Sequence, residues 1–341
     1  MSRTPVSLVT GAGGEIGHGL IHGLAAHGGQ RILALDLKPV HPDLAKLCAA
    51  TRAGSITDAA ILKAIGAEFE IEAVYHLAAL LSTRSERNPG EAHEVNVGGT
   101  LNLLELAAEQ AKASGRVVKF FFPSSIAVYG MPDLETKRRV GAVREHEWLQ
   151  PATMYGCNKL YCEHLGRYYA DHYKRLDADA GRKLIDFRGI RFPGLISAET
   201  VPTGGTSDYG PEMIHAAAQG KEYPCFVRED SRIAFMAMPD AVAAIQKLMA
   251  APAGKLSLPS YNISAFAPSA ADFARLVQKS FPAAKTTFKP DVKRQGIVDS
   301  WPEDTVDEAA RRDWDFTHGY DFERTFFDYL LPNIKRRYGG F

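Results

Sequence analysis

Residues 6–17 read VSLVTGAGGEIG, a short apolar run followed directly by a glycine-rich loop. Glycines at Gly11, Gly14 and Gly17 leave room for a tight turn, for close approach of the backbone to a pyrophosphate, and for packing of a helix on the preceding strand. Apolar residues recur at helical spacing over 20–24, which predicts that helix. A glycine-rich loop is a weak signal alone, but this strand and helix give it the context of a dinucleotide-binding turn.

A second apolar run, Arg31 to Leu35, ends at Asp36. An acid at the end of the second strand can accept hydrogen bonds from both ribose hydroxyls of adenosine, and it would repel a 2′-phosphate. Asp36 therefore predicts NAD rather than NADP as the cofactor.

Strand-like and helix-like segments alternate over the first 190 residues. The predicted strands after these two are at 73–77, 117–122 and 184–190, and the predicted helices are at 57–68, at 101–113 and from Tyr155 onward. The alternation predicts an α/β fold, a Rossmann-type doubly wound parallel sheet that binds ligands beyond the C-terminal ends of its strands.

The alternation loosens from about Arg191 onward, where prolines separate helices predicted at 239–250 and 270–280. We expect residues 1–195 to form the dinucleotide-binding domain, with a return segment at about 232–252. Residues 196–231 and 253–341 are expected to form a smaller α+β substrate domain.

Tyr155 and Lys159 are one helical turn apart on one predicted helix face. A phenol with a pKa of about 10 is a poor base at neutral pH, but a neighbouring cation favours the phenolate. Tyr155 is therefore the candidate general base, although such a pair can also be an ordinary surface pair. Ser125 follows a predicted strand and should reach the same groove, unless it only caps the strand end.

Composition excludes several classes of protein. The 341 residues contain 40 Lys and Arg and 40 Asp and Glu, which argues against nucleic-acid or anionic-membrane partners. No run of about 18 apolar residues and no apolar leader is present, so we expect a cytoplasmic protein with no membrane span. The four cysteines have no metal-ligand spacing, and His18 and His22 lack a further ligand, so we expect no metal site.

Together with Asn96 and the Ser124-Ser125 pair, these motifs resemble those of the extended short-chain dehydrogenase/reductase family, which includes nucleotide-sugar epimerases and dehydratases. Within it, five segments are similar to the epimerase-like L-threonine 3-dehydrogenases. These segments are HLAALLS at 76–82, PATMYG at 151–156, RFPGLIS at 191–197, GGTSDY at 204–209 and DSWP at 299–302. Thr203 and the run 233–238 depart from the pattern of that group.

The resemblance implies that Ser125 hydrogen-bonds the substrate oxygen, that Tyr155 removes its proton, and that Lys159 lowers the tyrosine pKa and holds the nicotinamide ribose. The implied cofactor contacts are Gly11, Gly14, Glu15, Ile16, Gly17, Asp36, Ile56, Leu77, Ala78, Ala79, Asn96, Tyr155 and Lys159. For Asn96 a structural role, as a buried amide whose hydrogen bonds are all made within the protein, is equally compatible with the sequence.

The predicted substrate contacts are Ser82, Ser124, Ser125, Tyr155, Thr206 and Asp208. Hydroxyls can donate to a carboxylate, and Asp208 can pair with an ammonium group, unless it only caps a helix starting near Pro211. We expect oxidation of the 3-hydroxyl of a small hydroxy amino acid, L-threonine to 2-amino-3-oxobutyrate. The alternatives are a nucleotide-sugar epimerase or dehydratase, a dehydrogenase of another small hydroxy acid, and a non-catalytic NAD sensor.

The two long helices predicted at 93–113 and 155–174 suit the helical-bundle interface that is usual among such relatives. The resemblance therefore implies a homodimer or a dimer of dimers. The charged stretch 174–183 is interpreted as an inserted surface loop.

Overall fold

A computed structural model describes residues 3–177, 180–202 and 204–339. Thr203 lies outside the described residues, as do 178 and 179 of the predicted insertion. The strands are β1 (Thr4–Thr10), β2 (Ile32–Asp36), β3 (Ala50–Ala53), β4 (Phe69–His76), β5 (Val118–Ser125), β6 (Ala142–Val143), β7 (Ile185–Phe192), β8 (Gly194–Ile196), β9 (Tyr223–Cys225), β10 (Phe235–Ala237), β11 (Ser260–Asn262), β12 (Thr286–Phe288) and β13 (Asp304–Thr305).

The helices carry most of the remaining chain. They are α1 (Glu15–His27), α2 (Pro42–Ala45), α3 (Ala59–Glu68), α4 (Ser82–Arg87), α5 (Pro89–His93), α6 (Gly99–Ser114), α7 (Leu134–Val140), α8 (Met154–Asp171), α9 (Tyr209–Ala218), α10 (Met238–Ala250), α11 (Ala270–Ser280), α12 (Val292–Asp299), α13 (Glu308–Trp314), α14 (Phe322–Arg324) and α15 (Leu331–Tyr338). No helix in the described ranges is long and apolar enough to cross a membrane.

The central sheet has seven parallel strands in the order β11-β7-β5-β4-β1-β2-β3. The chain builds outward from β1 to β3 on one side and then from β4 to β11 on the other, so the winding reverses between β1 and β4. Ligands of such sheets bind at this reversal, beyond the strand ends. The predicted doubly wound fold is confirmed.

Helices cover both faces of the sheet because its strands are apolar on both sides. On one face α1 and α10 contribute Leu20 and Ile245 to a buried cluster. On the other face α3, α6 and α8 contribute Leu62, Leu103 and Cys162 to a second cluster. This two-sided burial explains why the strands read as continuous apolar runs.

A third buried cluster surrounds the two-stranded sheet of β8 and β10 and includes residues of α9 and α11. The departing run 233–238 is buried throughout, and its strand pairs in parallel with β8. Ile233 and Phe235 belong to this third cluster, whereas Met236 and Met238 belong to the cluster with α1 and α10. The last residue of the run, Met238, also lines the large cavity described below.

The helix predicted at 93–113 is interrupted. A π-helical turn at Glu94–Gly98 separates α5 from α6 and carries Asn96. The carbonyl of Asn96 accepts hydrogen bonds from the Thr100 hydroxyl at 2.5 Å and from the Cys162 thiol at 3.4 Å. These side-chain bonds accompany the local widening of the helix, which apolar periodicity does not reveal. The second predicted helix ends at Asp171 rather than at 174.

Candidate active site

A cavity of about 760 Å³ runs along the C-terminal edge of the sheet. Its volume is within the range of cofactor and small-molecule sites in enzymes. The sequence-predicted residues that line it are Gly11, Gly14, Glu15, Ile16, Gly17, Asp36, Ile56, Leu77, Ala78, Ala79, Ser82, Ser124, Ser125, Tyr155, Lys159, Thr206 and Asp208. Of the predicted set, only Asn96 does not line it.

The loop between β1 and α1 forms the dinucleotide end. Gly11 has φ of +65°, and a Cβ built there would lie 2.6 Å from the backbone nitrogen of Ala78. Only glycine fits this close approach of two backbones. Within the described residues no side chain caps the N-terminus of α1, so its first N–H groups are available to a phosphate.

Asp36 lies at the end of β2, where its Oδ2 accepts a hydrogen bond from the Gly13 backbone nitrogen at 2.9 Å. A Cβ at Gly13 would lie 3.4 Å from the same oxygen. The carboxylate is thus held beside the glycine-rich loop, at the position expected of a ribose acceptor.

Asn96 is a satisfied buried amide, and its predicted cofactor contact has no support in the geometry. Its Oδ1 accepts from the Leu80 nitrogen at 2.7 Å, and its Nδ2 donates to the Leu80 carbonyl at 3.1 Å. The same Nδ2 donates to Asn158 Oδ1 of α8 at 3.3 Å. Asn96 therefore fixes the Leu80 loop, which lines the cavity, to the helix that carries Tyr155.

Ser125, Tyr155 and Lys159 converge because β5 ends where α8 begins. Ser125 is the last residue of β5, and its Oγ accepts from the Ala127 nitrogen at 3.1 Å. The Thr153 hydroxyl caps α8 by accepting from the Gly156 nitrogen at 3.1 Å, which places Tyr155 in the first helical turn. Ser125 thus caps the turn after the strand, as the alternative expected, while it also lines the cavity.

Lys159 donates from its Nζ to the Pro123 carbonyl at 2.6 Å, and this nitrogen lies 5.4 Å from the centroid of the Tyr155 ring. Desolvation lowers the pKa of Lys159 to about 8. Desolvation also raises the pKa of Tyr155 above its ordinary value. This direction is opposite to the lowering that the Lys159 cation was predicted to cause, and burial of the phenol is its cause.

His76 is a buried polar residue that joins strand ends beneath the site. His76 at the end of β4 contacts the hydroxyls of Thr10 and Thr100 at 3.1 and 2.9 Å. Burial lowers the pKa of His76 to about 3, so the imidazole is neutral near pH 7. It therefore serves as a fixed hydrogen-bonding group that joins β1, β4 and α6.

Ser124 donates its hydroxyl to Glu163, which forms a bidentate ion pair with Arg191 at 2.9 and 2.6 Å. Both charged groups are almost fully buried. The pair ties α8 to the ends of β5 and β7. A substrate contact by the Ser124 hydroxyl, as predicted from sequence, would have to compete with this bond.

At the other end of the cavity, the segment after β4 meets the loop before α9. The Ser82 and Thr206 hydroxyls lie 3.2 Å apart, and the Thr83 hydroxyl donates to the Gly204 carbonyl at 3.1 Å. Asp208 Oδ2 accepts from the Gly205 nitrogen at 2.7 Å. Asp208 precedes α9 but its carboxylate does not cap that helix, so the capping alternative is wrong.

The cavity wall also contains residues that were not predicted as site residues from the sequence, among them Trp301 and Thr200. Trp301 belongs to the third buried cluster and also lines the cavity; it is only 5% exposed, and its indole nitrogen has no hydrogen-bond partner among the described residues. The Thr200 hydroxyl donates to Glu15 at 2.6 Å and joins the loop after β8 to the start of α1. The DSWP motif contained a signal for Trp301, whereas Thr200 had none.

Known proteins with this arrangement are dehydrogenases and epimerases. The chain is 33% identical over 321 residues to mitochondrial L-threonine 3-dehydrogenase of Bos taurus, covering 92% of this chain and 79% of the relative. A solved monomeric L-threonine 3-dehydrogenase from a metagenome, in its apo form, has a TM-score of 0.85 and 35% identity, over 98% of this chain and all of that chain.

A UDP-glucose 4-epimerase of Thermotoga maritima has a TM-score of 0.79 but 20% identity, over 97% of this chain and 98% of that chain, so it shows the fold alone. The model of the NAD dependent epimerase/dehydratase family matches residues 7–264. The resemblance drawn from the sequence motifs is confirmed, and the chain belongs to the NAD dependent epimerase/dehydratase family.

Proposed function

We propose that this protein is an NAD-dependent dehydrogenase that oxidises the 3-hydroxyl of L-threonine to 2-amino-3-oxobutyrate. The observation that carries the proposal is a single cavity that joins the dinucleotide loop, the Ser125, Tyr155 and Lys159 group, and a small polar wall around Thr206 and Asp208. Relatives named as L-threonine 3-dehydrogenases, which match over more than nine tenths of this chain, support it.

The residues present fit NAD. The glycine-rich loop lines the cavity, the uncapped N-terminus of α1 suits the charge of a pyrophosphate, and Asp36 suits an unphosphorylated ribose. When bound, NAD supplies the hydride acceptor of the reaction.

The residues of this chain handle the proton and the orientation of the substrate. The Ser125 hydroxyl donates to the substrate oxygen, and Tyr155 as phenolate accepts the hydroxyl proton on its own oxygen. Lys159 holds a positive charge beside the ring. Because the pKa of Tyr155 is raised, ionisation of the phenol limits the rate at neutral pH, and the rate rises with pH.

The polar wall suits an amino acid. The Ser82 and Thr206 hydroxyls and the Trp301 indole N–H can donate to the substrate carboxylate, while Asp208 can accept from its ammonium group. Asp208 Oδ2 is fixed by the Gly205 nitrogen, so the carboxylate is oriented before the substrate arrives.

A nucleotide-sugar substrate fits less well because its diphosphate requires cationic or other donor groups in the wall. Within the described residues, the cationic side chains that line the cavity are Arg84 and Lys159. Arg84 is paired with Glu91 at 2.5 Å, and Lys159 donates to the Pro123 carbonyl. Neither cation is available to bind the diphosphate of a nucleotide sugar in addition to that of NAD, which supports the smaller substrate.

We also propose that two copies associate through α6 and α8, as the sequence predicts. Tyr161 and Tyr168 lie exposed on the outer face of α8, with half-buried Leu165 between them. The metagenomic relative is described as monomeric, so light scattering of the purified protein is the deciding measurement. A cytoplasmic location is supported by the four cysteines, all of which are unpaired.

The proposed function is tested by supplying NAD with L-threonine, other hydroxy amino acids or nucleotide sugars and following NADH absorbance. L-Threonine should give the fastest NADH formation. The Asp208→Asn variant keeps an oxygen for the Gly205 nitrogen but removes the charge, so it should raise KM for L-threonine with little change in NAD affinity. If only a nucleotide sugar is turned over, the epimerase or dehydratase alternative replaces this proposal.

A further inference from the structure

The substrate loop, residues 204–208, is attached on its outer side to a helix that takes no part in the cavity's dinucleotide end. Arg294, in the first turn of α12, donates from Nη2 to the Gly205 carbonyl at 2.9 Å and to the Gly204 carbonyl at 3.4 Å. Arg294 does not line the cavity. Its contact with the loop is therefore made from behind the polar wall.

The guanidinium of Arg294 is held in a fixed direction. Its central carbon lies 3.1 Å from the centroid of the Phe226 ring, a stacked arrangement that suits a planar cation. Asp291 caps α12 by accepting from the Lys293 and Arg294 nitrogens at 3.0 and 2.9 Å. The backbone and the side-chain end of Arg294 are thus both restrained.

The carbonyl that Arg294 binds belongs to a tight turn. The Gly205 carbonyl also accepts from the Asp208 nitrogen at 3.2 Å, and the Gly205 nitrogen donates to the Asp208 carboxylate at 2.7 Å. A Cβ at Gly205 would lie 2.9 Å from that carboxylate. Fixing the Gly205 peptide therefore also fixes the Asp208 carboxylate and the Thr206 hydroxyl between them.

The far end of α12 is anchored independently. Lys137 donates to the Val298 carbonyl at 2.8 Å, and the Met131 nitrogen donates to the Ser300 carbonyl at 2.8 Å. Trp301 follows directly and lines the cavity. One short helix therefore connects two parts of the substrate wall, the turn at Thr206 and Asp208 and the indole of Trp301.

We propose that Arg294 is a positioning residue that sets the affinity of the site for its amino-acid substrate by holding the 204–208 turn in place. It acts through Gly205 and does not touch substrate or cofactor. This inference rests on the proposed function for its kinetic readout, because the affinity in question is that for L-threonine.

The test is kinetic, with Arg294→Ala and the matched control Lys293→Ala, which alters the exposed neighbour in the same helical turn. Loss of a charged hydrogen bond should raise KM for L-threonine about tenfold, leave kcat within about twofold, and leave the NAD dissociation constant unchanged. Low concentrations of guanidinium ion should restore part of the lost affinity in Arg294→Ala, and Arg294→Lys should lie between the two. Unchanged KM in Arg294→Ala would overturn the proposal.

Hydrogen exchange supplies a readout that does not depend on turnover. Amides of residues 206–208 should exchange at least several times faster in Arg294→Ala than in the wild type, while amides of β1 and β4 stay equally protected. Equal exchange at 206–208 in both proteins contradicts the positioning role. If wild-type protein shows no L-threonine oxidation, the proposed function fails, and the exchange result alone then decides the role of Arg294.

Discussion

Among single residues, Tyr155 is the one on which the proposed chemistry depends most. It lies in the first turn of α8, in the wall of the cavity, and Lys159 lies one turn further along. Its raised pKa follows from desolvation. Proton removal by this residue therefore becomes faster as the phenolate fraction grows with pH.

Tyr155→Phe should bind NAD normally and lose about a hundred- to ten-thousandfold in kcat, since the ring stays and the ionisable oxygen goes. The wild-type kcat/KM should rise with pH up to about 8, the pKa of Lys159, below which the ammonium keeps its charge, and the variant's residual rate should lack that rise. Turnover at several pH values with a titration of NAD binding checks both statements. Near wild-type turnover in the variant removes Tyr155 from the role of base.

Asp36 sets the choice of dinucleotide. A phosphate dianion against this carboxylate costs on the order of a few kcal/mol, or about a hundredfold in Kd, so NAD should bind more tightly than NADP by that factor. Asp36→Asn keeps an acceptor for the Gly13 nitrogen but removes the charge. It should therefore reduce the difference between the dissociation constants for NAD and NADP. The two dissociation constants measured for both proteins give the answer, and equal wild-type affinities would place Asp36 outside the site.

The sequence predicted neighbours in space best where spacing along the chain fixes the geometry. The glycines of the first turn and the Tyr155 and Lys159 pair line one cavity, because their placement depends on a few neighbouring residues. Arg294 reaches the same region from a distant part of the chain, and no local pattern indicates such a contact. The sequence predicted a lowered pKa for Tyr155, whereas burial raises it. Burial is a property of the folded chain that the spacing of residues does not give.

At the scale of elements, the contact between α8 and the 3₁₀ turn at Ile126–Val128 aligns the tyrosine with Ser125. Gly156 allows the contact: a Cβ there would overlap the Ala127 carbonyl oxygen and lie 2.8 Å from Pro151 Cβ. Ser125 directly precedes that turn. The separation of the two side chains proposed to be catalytic, Ser125 and Tyr155, thus depends on one glycine.

Gly156→Ala should push α8 away from the turn, lower the melting temperature, and reduce kcat by about a hundredfold, since small displacements of reacting groups are costly. Gly254→Ala is the matched control, because a Cβ at that position meets nothing within 4 Å. Thermal unfolding and turnover are measured for both. A Gly156→Ala protein as stable and active as the control would show that this close packing is dispensable.

Strands β1, β2, β4, β5 and β7 were predicted from apolar runs, whereas the short edge strands β3 and β11 were not. Helix α11 was predicted with its observed bounds, 270–280. The π-helical turn at Glu94–Gly98 was not foreseeable. It coincides with side-chain hydrogen bonds from Thr100 and Cys162 to the Asn96 carbonyl, which depend on the packing of α8 against α6. Periodicity reports which face is buried, and it does not report where the hydrogen-bond register changes.

At the scale of the whole molecule, the cavity lies where the winding of the sheet reverses and where the later part of the chain closes over it. Its dinucleotide end comes from the segment joining β1 to α1 and from the end of β2, whereas its polar end comes from residues 82, 205–208 and 301. The fold therefore fixes the cofactor end through the sheet. In the proposed function, the later segments contact the substrate and determine which one is bound.

The most direct test of this account follows the hydrogen on C3 of the substrate. L-Threonine carrying deuterium at C3 is incubated with NAD and the wild-type protein, with Tyr155→Phe as the control. We predict NADH with deuterium on the nicotinamide ring, a slower rate than with unlabelled L-threonine, and little NADH from the variant. NADH without deuterium, or no NADH while a nucleotide sugar is converted, would contradict it.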